Sequence, residues 1–223
     1  MNDLAQNLIE ELQCETVFTI PVLGGIPVSE AVVVTWIIMA VLVVIAFILT
    51  RNLKVDHISK RQAVAESIVT GLLNMVQGMV GEKGKAYVPY LTTVMLYIGV
   101  SNIIGLFGFK SPTKDLRVTV ALALMSIILI EAAGIYHKGV KRWLHGFVEP
   151  VAIVTPINIL EVVTKPLSLC MRLFGNVLGA FVIMELLKMI LPVGLPVVFS
   201  LYFDIFDGLL QAYVFVFLIA LTR

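Results

Sequence analysis

Arg172 places a guanidinium inside residues 167–191, a stretch otherwise apolar enough to cross a membrane. A charge at bilayer depth costs about 2.5–3.5 kcal/mol on insertion scales, and such residues mark functional sites by default. Burial hardly discharges an arginine, whereas a buried lysine shifts its pKa readily. The chain therefore carries a permanent cation within lipid, and an anion must visit it.

The arginine is not alone on its helix face. Glu161, Lys165, Ser168, Arg172, Asn176 and Gly179 follow one another at steps of three or four residues, which aligns them along one side of a helix. Glu161 and Lys165 make an i,i+4 pair in the favourable order and equally suit an ordinary interfacial ion pair. Arg172 lies deeper, among Leu, Met and Phe, where that ordinary account does not serve. Gly175 and Gly179 beside it form a small-xxx-small pattern. Such a pattern suits internal packing or a flat face against which another subunit moves, and the unpaired arginine favours the second.

A second polar set lies near the carboxyl end, where Asp204, Asp207 and Gln211 interrupt an apolar run. Asp204 and Gln211 are expected to share a helix face. Intramembrane carboxylates mark proton or ion routes, so this pair reads as part of a wet path. The alternative is a simple salt bridge to Arg172 or Lys188. Glu131 and Glu185 are further candidates for the same aqueous pocket, and Asn102 offers an amide dipole.

These residues need spans to hold them. With 59% hydrophobic and 14% charged residues in 223, the chain is too apolar for a soluble domain. Five spans are expected, at about 28–50, 88–109, 116–136, 157–191 and 193–221. The fourth is longer than a perpendicular crossing requires and should tilt. A Leu191–Pro196 turn folds the fifth back on it as a helical hairpin. Residues 61–79 carry Val64, Ile68, Leu72, Met75 and Met79 on one side and Glu66, Thr70, Asn74 and Gln77 largely on another, the pattern of an amphipathic interfacial helix. Residues 148–159, broken by Pro150 and Pro156, suggest a second interfacial piece. The expected fold is thus all-α and polytopic, one integral membrane domain over residues 1–223.

Residues 1–50 hold no Lys or Arg, while Arg51, Lys54, Lys60 and Arg61 follow span one and Lys138, Lys141 and Arg142 follow span three. The positive-inside rule then puts the amino terminus outside and the carboxyl terminus inside, with Lys110, Lys114 and Arg117 as counter-examples. No cleavable signal is expected, since residues 1–13 lack a basic n-region.

Several chemistries find no support. A net charge of +1 argues against nucleic acid as partner. Cys14 and Cys170 suggest neither a disulfide nor a metal site, and His57, His137 and His145 lack ligand spacing. Gly81–Ala86 departs from the phosphate-loop spacing, and no nucleophile motif occurs. No cofactor is expected.

Three segments together resemble a known family. Lys165-Pro166-Leu167-Ser168-Leu169-Cys170-Met171-Arg172-Leu173-Phe174-Gly175-Asn176 closely resembles the signature of subunit a of F-type ATP synthases. Leu209-Leu210-Gln211-Ala212-Tyr213-Val214-Phe215 looks like that family's last-helix motif, and Pro112-Thr113-Lys114-Asp115-Leu116-Arg117-Val118-Thr119 looks like its outer-loop motif. The resemblance implies a non-catalytic stator subunit facing a rotating ring of c subunits, with peripheral-stalk b subunits and the rest of the complex as further partners; the compact length and the absence of a transit segment make a bacterial plasma membrane the expected location. It casts Arg172 as the arginine that meets the ring's carboxylate and separates two aqueous half-channels. Asn176, Gln211 and Asn102 match polar positions of the family, and Asp204 falls where relatives carry histidine or glutamate. Phe181 stands where some relatives place a channel acid, and Glu185 or Glu131 would have to compensate. Where some carry a glutamate this chain has Asn158, with Glu161 the nearest carboxylate. The coupling ion is a proton or Na⁺.

A rival reading is a secondary transporter whose buried arginine binds an anionic substrate. It calls for inverted repeats and broken half-helices around a midplane site, and no repeat is visible.

Overall fold

The computed structural model describes residues 16–20, 26–51, 59–107, 109, 111–140, 155–190 and 195–221. The first described elements are two antiparallel strands, β1 (Thr16–Ile20) and β2 (Ile26–Ser29), with Ile20 opposite Ile26. The sequence reading expected only helices, yet Thr-Val-Phe-Thr-Ile is rich in the β-branched and aromatic types that favour strands. Cys14, Lys54, His57, Lys110, Lys141, Arg142, His145 and residues 148–154 and 191–194 lie outside the described residues.

Helix α1 (Glu30–Thr50) follows β2 directly, with Glu30 in its first turn, where a carboxylate complements the helix dipole. It is apolar all round and buries only Ala31, Val34 and Ile38, leaving residues such as Val43 and Phe47 outward. A helix hydrophobic on every face belongs in lipid. Helix α2 (Lys60–Val80) is capped by Ser59, whose side chain accepts from the Gln62 N–H, and ends at Gly81, which turns the chain at φ 73°. It packs against the next helix and the last one through Val76, Leu73 and Met79, leaving Val64 and Ile68 exposed.

Helix α3 (Val88–Ile103) is the hub and buries Leu91, Val94, Tyr97, Ile98, Ser101 and Asn102. Short 3₁₀ turns flank it at Glu82–Tyr87 and Ile104–Phe107. After a 3₁₀ turn at Pro112–Lys114, Asp115 caps α4 (Leu116–Lys138) by accepting the Arg117 N–H at 2.9 Å. Its other carboxylate oxygen accepts from Ser29 Oγ at 3.1 Å, tying the turn at 112–115 to the start of α1.

Helix α5 (Thr155–Ile190) is 36 residues long. At about 1.5 Å per residue it extends to about 54 Å, against about 30 Å of hydrocarbon, so its length suits a strongly tilted course. Pro156 sits in its first turn, where a missing N–H is harmless, and Pro166 lies inside it. The last span is not the uninterrupted helix expected. Helix α6 (Leu195–Ser200) passes into a π turn (Leu201–Asp207) before α7 (Gly208–Leu221). Helix α7 packs most extensively on α3, and α5 packs most extensively on α4. Ile98, Leu173, Phe215, Val216 and Ile219 are central to the shared core.

Among the described residues, five helical segments are long and apolar enough to cross a membrane: 30–50, 60–80, 84–106, 160–184 and 198–220. Segment 116–129 is a shorter apolar helix. Residues 60–80 thus satisfy the length and composition of a span, although their polar side, where Gln62 bonds Glu66 at 2.7 Å, is what suggested an interfacial position.

Candidate functional site

The polar stripe lies on α5 as its periodicity requires. Leu169, Cys170 and Leu173 turn into the core, so Glu161, Ser168, Arg172 and Asn176 face outward, with Lys165 and Gly179 half-buried. Glu161 and Lys165 form the expected ion pair at 3.0 Å. Arg172 has no ion pair and no side-chain hydrogen bond among the described residues. A Cβ added at Gly175 or Gly179 would meet nothing within 4 Å, so the surface next to the guanidinium is open. An exposed cation without an ion pair among the described residues can accept an anion brought by another molecule.

Asn176 connects this face to the interior. Its Nδ2 donates to Gln211 Oε1 at 2.7 Å, and Gln211 is only 2% exposed. The bond joins α5 to α7 one turn beyond Arg172 and fixes the amide orientations there.

Asp204 is placed differently from the sequence expectation. It is half-buried on the π turn, where Ser200 Oγ donates to its Oδ2 at 2.7 Å. Its Oδ1 lies 3.3 Å from where a Cβ on Gly105 would sit. Gln211 meets α5, whereas Asp204 meets the turn after α3. The heptad spacing that put both on one face assumes α geometry throughout, and a π turn rotates less per residue. The wider hydrogen-bond ring therefore shifts Asp204 out of register with Gln211.

Asn102 is buried at the α3–α7 seam. Its Nδ2 donates to Gly208 O at 3.1 Å, and its Oδ1 accepts from Thr113 Oγ1 at 2.9 Å. Ser111 Oγ lies 2.7 Å from Thr113 Oγ1 and 2.6 Å from Ser101 O, and its single proton goes to one of the two. Sequence reasoning singled out Asn102 but missed Ser101, Ser111 and Thr113, although Thr113 lies within the outer-loop motif. Ser101 Oγ itself is buried without a partner among the described residues.

Glu131 is half-buried on α4, and Glu185 lies on α5, one turn past Phe181. The Phe181 ring has the Lys114 ammonium 4.0 Å from its centroid, so a lysine that complicates the loop charge count is held against α5. Cys170 is buried, its thiol 3.3 Å from Leu167 O. Among the described residues no three His, Cys, Asp or Glu gather as metal ligands would.

Comparison with known proteins adds a separate line. The ATP synthase A chain family model matches residues 32–221. The chain is similar to ATP synthase subunit a of Moorella thermoacetica, 34% identical over 195 residues, covering 86% of this chain and 88% of the relative. It is also similar to ATP synthase subunit a 2 of Acaryochloris marina, 32% identical over 194 residues, covering 86% and 82%. A third relative, from Propionigenium modestum, is named ATP synthase subunit a, sodium ion specific; it is 34% identical over 210 residues, covering 87% and 72%.

Proposed function

Because the chain belongs to the ATP synthase A chain family, we propose that it is the stationary ion-conducting subunit of the synthase's membrane sector. On this reading residues 1–223 are one integral membrane domain that performs no bond chemistry of its own. Its partners are a rotating ring of c subunits, the peripheral-stalk b subunits and the remaining complex. It sits in a bacterial plasma membrane, amino terminus outside and carboxyl terminus inside.

The observation that carries the reading is the outward Arg172 guanidinium, without an ion pair among the described residues and flanked by open glycines. A proton or Na⁺ enters from outside past Asp204 and neutralises a ring carboxylate. Glu131 and Glu185 extend the aqueous lining, while Asn176 and Gln211 present fixed amides at the approach to the arginine. The neutral carboxyl then turns through lipid, which tolerates it far better than a carboxylate. When a carboxyl nears Arg172 from the inner path, the adjacent positive charge favours its ionised form and the ion leaves. The same charge blocks a straight leak between the two paths. Glu161, Lys165 and Ser168 continue the polar stripe toward that inner path. Each charge moved is driven by about 2.3 kcal/mol per 100 mV, which becomes torque only while the paths stay separate.

Reconstituted complexes carrying Arg172→Ala should make no ATP from an imposed ion gradient. Undiminished synthesis by that variant would overturn the reading.

A further inference from the structure

The geometry points to Asn102 as a positioning residue that holds the π turn and thereby aims Asp204, not as a dipole lining the ion path. The inference rests on the proposed passage of the ion past Asp204.

Three observations converge on the α3–α7 seam. The Gly208 N–H bonds the Phe203 and Ile205 carbonyls and passes over that of Asp204, so the i→i−4 pattern is interrupted across the turn that carries the carboxylate. π turns are rare insertions and are frequent at functional sites. The residue that closes the turn is clamped: Asn102 Nδ2 donates to Gly208 O, and a Cβ at Gly208 would lie 2.8 Å from Asn102 Cβ. That approach admits only glycine, although Gly208 has ordinary helical φ and ψ of −59° and −44°. Asn102 is itself held from the far side, because Thr113 Oγ1 donates to its Oδ1 and Ser111 braces Thr113.

The consequence reaches Asp204. With the turn clamped, its carboxylate rests against Gly105, one helical turn past Ser101, and takes a bond from Ser200. Without the clamp, the last span can revert to an unbroken α-helix. Asp204 then rotates back toward the face of Gln211, which is the face against α5. Asn102 therefore selects which seam the acid serves. Its amide oxygen and one amide N–H are already bound within the fold, which leaves it poorly suited to solvate a passing ion.

The test uses membranes containing the assembled complex, with Cys14→Ser and Cys170→Ser as background. A Gly105→Cys/Asp204→Cys pair should form a disulfide on mild copper–phenanthroline oxidation. Adding Asn102→Ala, or Gly208→Ala, should abolish that cross-link. Asn102→Asp keeps the size and the Thr113 acceptor but removes the donor to Gly208, and it reads the same bond where Asn102→Ala assembles poorly. A cross-link that persists undiminished in these variants overturns the proposal. In the cysteine-free background with Asp204 and Gly105 intact, Asn102→Ala should slow ion flux, and that loss should vanish in an Asp204→Asn chain, since both changes act at one carboxylate. Additive losses would instead place Asn102 on the path by itself and overturn the positioning role. Unchanged flux in Asp204→Asn alone would remove Asp204 from the ion path, a failure of the functional reading that the cross-link distinguishes.

Discussion

The outer face of α5 and the seam between α3 and α7 use the same residue types for opposite ends. At Gly175 and Gly179 a side chain would meet open space, while at Gly208 it would collide with Asn102 at 2.8 Å. On the α5 face, Arg172 has no ion-pair partner among the described residues, whereas in the seam Asn102 is bound at both ends of its amide. Within lipid, polar groups must be satisfied internally. The seam that binds Asn102 at both ends of its amide is architecture; the face that leaves a guanidinium unpaired is the one proposed to meet a partner. The contrast separates residues that hold the site from residues that act in it.

The severest challenge to that contrast is Arg172→Lys. It keeps the positive charge, so an account based on charge alone predicts retained function. A lysine, however, has a flexible point charge that can lose its proton in a low-dielectric setting. ATP synthesis by reconstituted vesicles should fall almost to nothing while the complex still assembles. Near-normal synthesis would reduce the site to simple electrostatic screening.

Next come the glycines. Gly175→Leu should leave the subunit's own fold intact, and leucine is favoured over glycine in a helix by up to about 1 kcal/mol. Ring-coupled synthesis should nonetheless drop sharply, because the bulk projects from the face proposed to meet the ring. Gly208→Ala should do the reverse in kind: overpacking at the Asn102 contact costs about 1–3 kcal/mol, seen as earlier thermal release of the subunit from the complex. If Gly175→Leu destabilised the subunit and Gly208→Ala did not, the assignment of face and seam would be inverted.

The face was legible in the sequence and the seam was not, for physical reasons. Glu161, Lys165, Ser168, Arg172 and Asn176 stand out because polar residues at helical spacing are conspicuous against an apolar background. Their local order is also what the structure keeps, down to the Glu161–Lys165 pair. Asn102 could be singled out, but its partners Thr113 and Gly208 come from a separate turn and a distant helix, which no periodicity connects. The π turn is a change of hydrogen-bond ring without a composition signature, so Asp204 and Gln211 were expected on one face. Hairpin β1–β2 had a readable signal in Thr16–Ile20 that the dominance of helical spans overshadowed.

Lys114 supplies the smallest and most local prediction. It belongs to the Pro112–Lys114 turn, yet its ammonium rests over the Phe181 ring on α5, so it bridges the architecture of one region to the helix that carries the other. A cation over an aromatic face contributes about 0.5–1 kcal/mol at exposed sites. Lys114→Met keeps the length and apolar stem while removing the charge, and Lys114→Arg keeps a cation suited to the same ring. The first should lower the thermal midpoint for release of the subunit slightly, and the second should restore it. Synthesis rates should barely change in either, because the Phe181 contact secures the Pro112–Lys114 turn and involves neither Arg172 nor Asp204. A large loss of ion flux in Lys114→Met with stability unchanged would move the lysine from the scaffold to the ion path, and would blur the boundary drawn between the two regions.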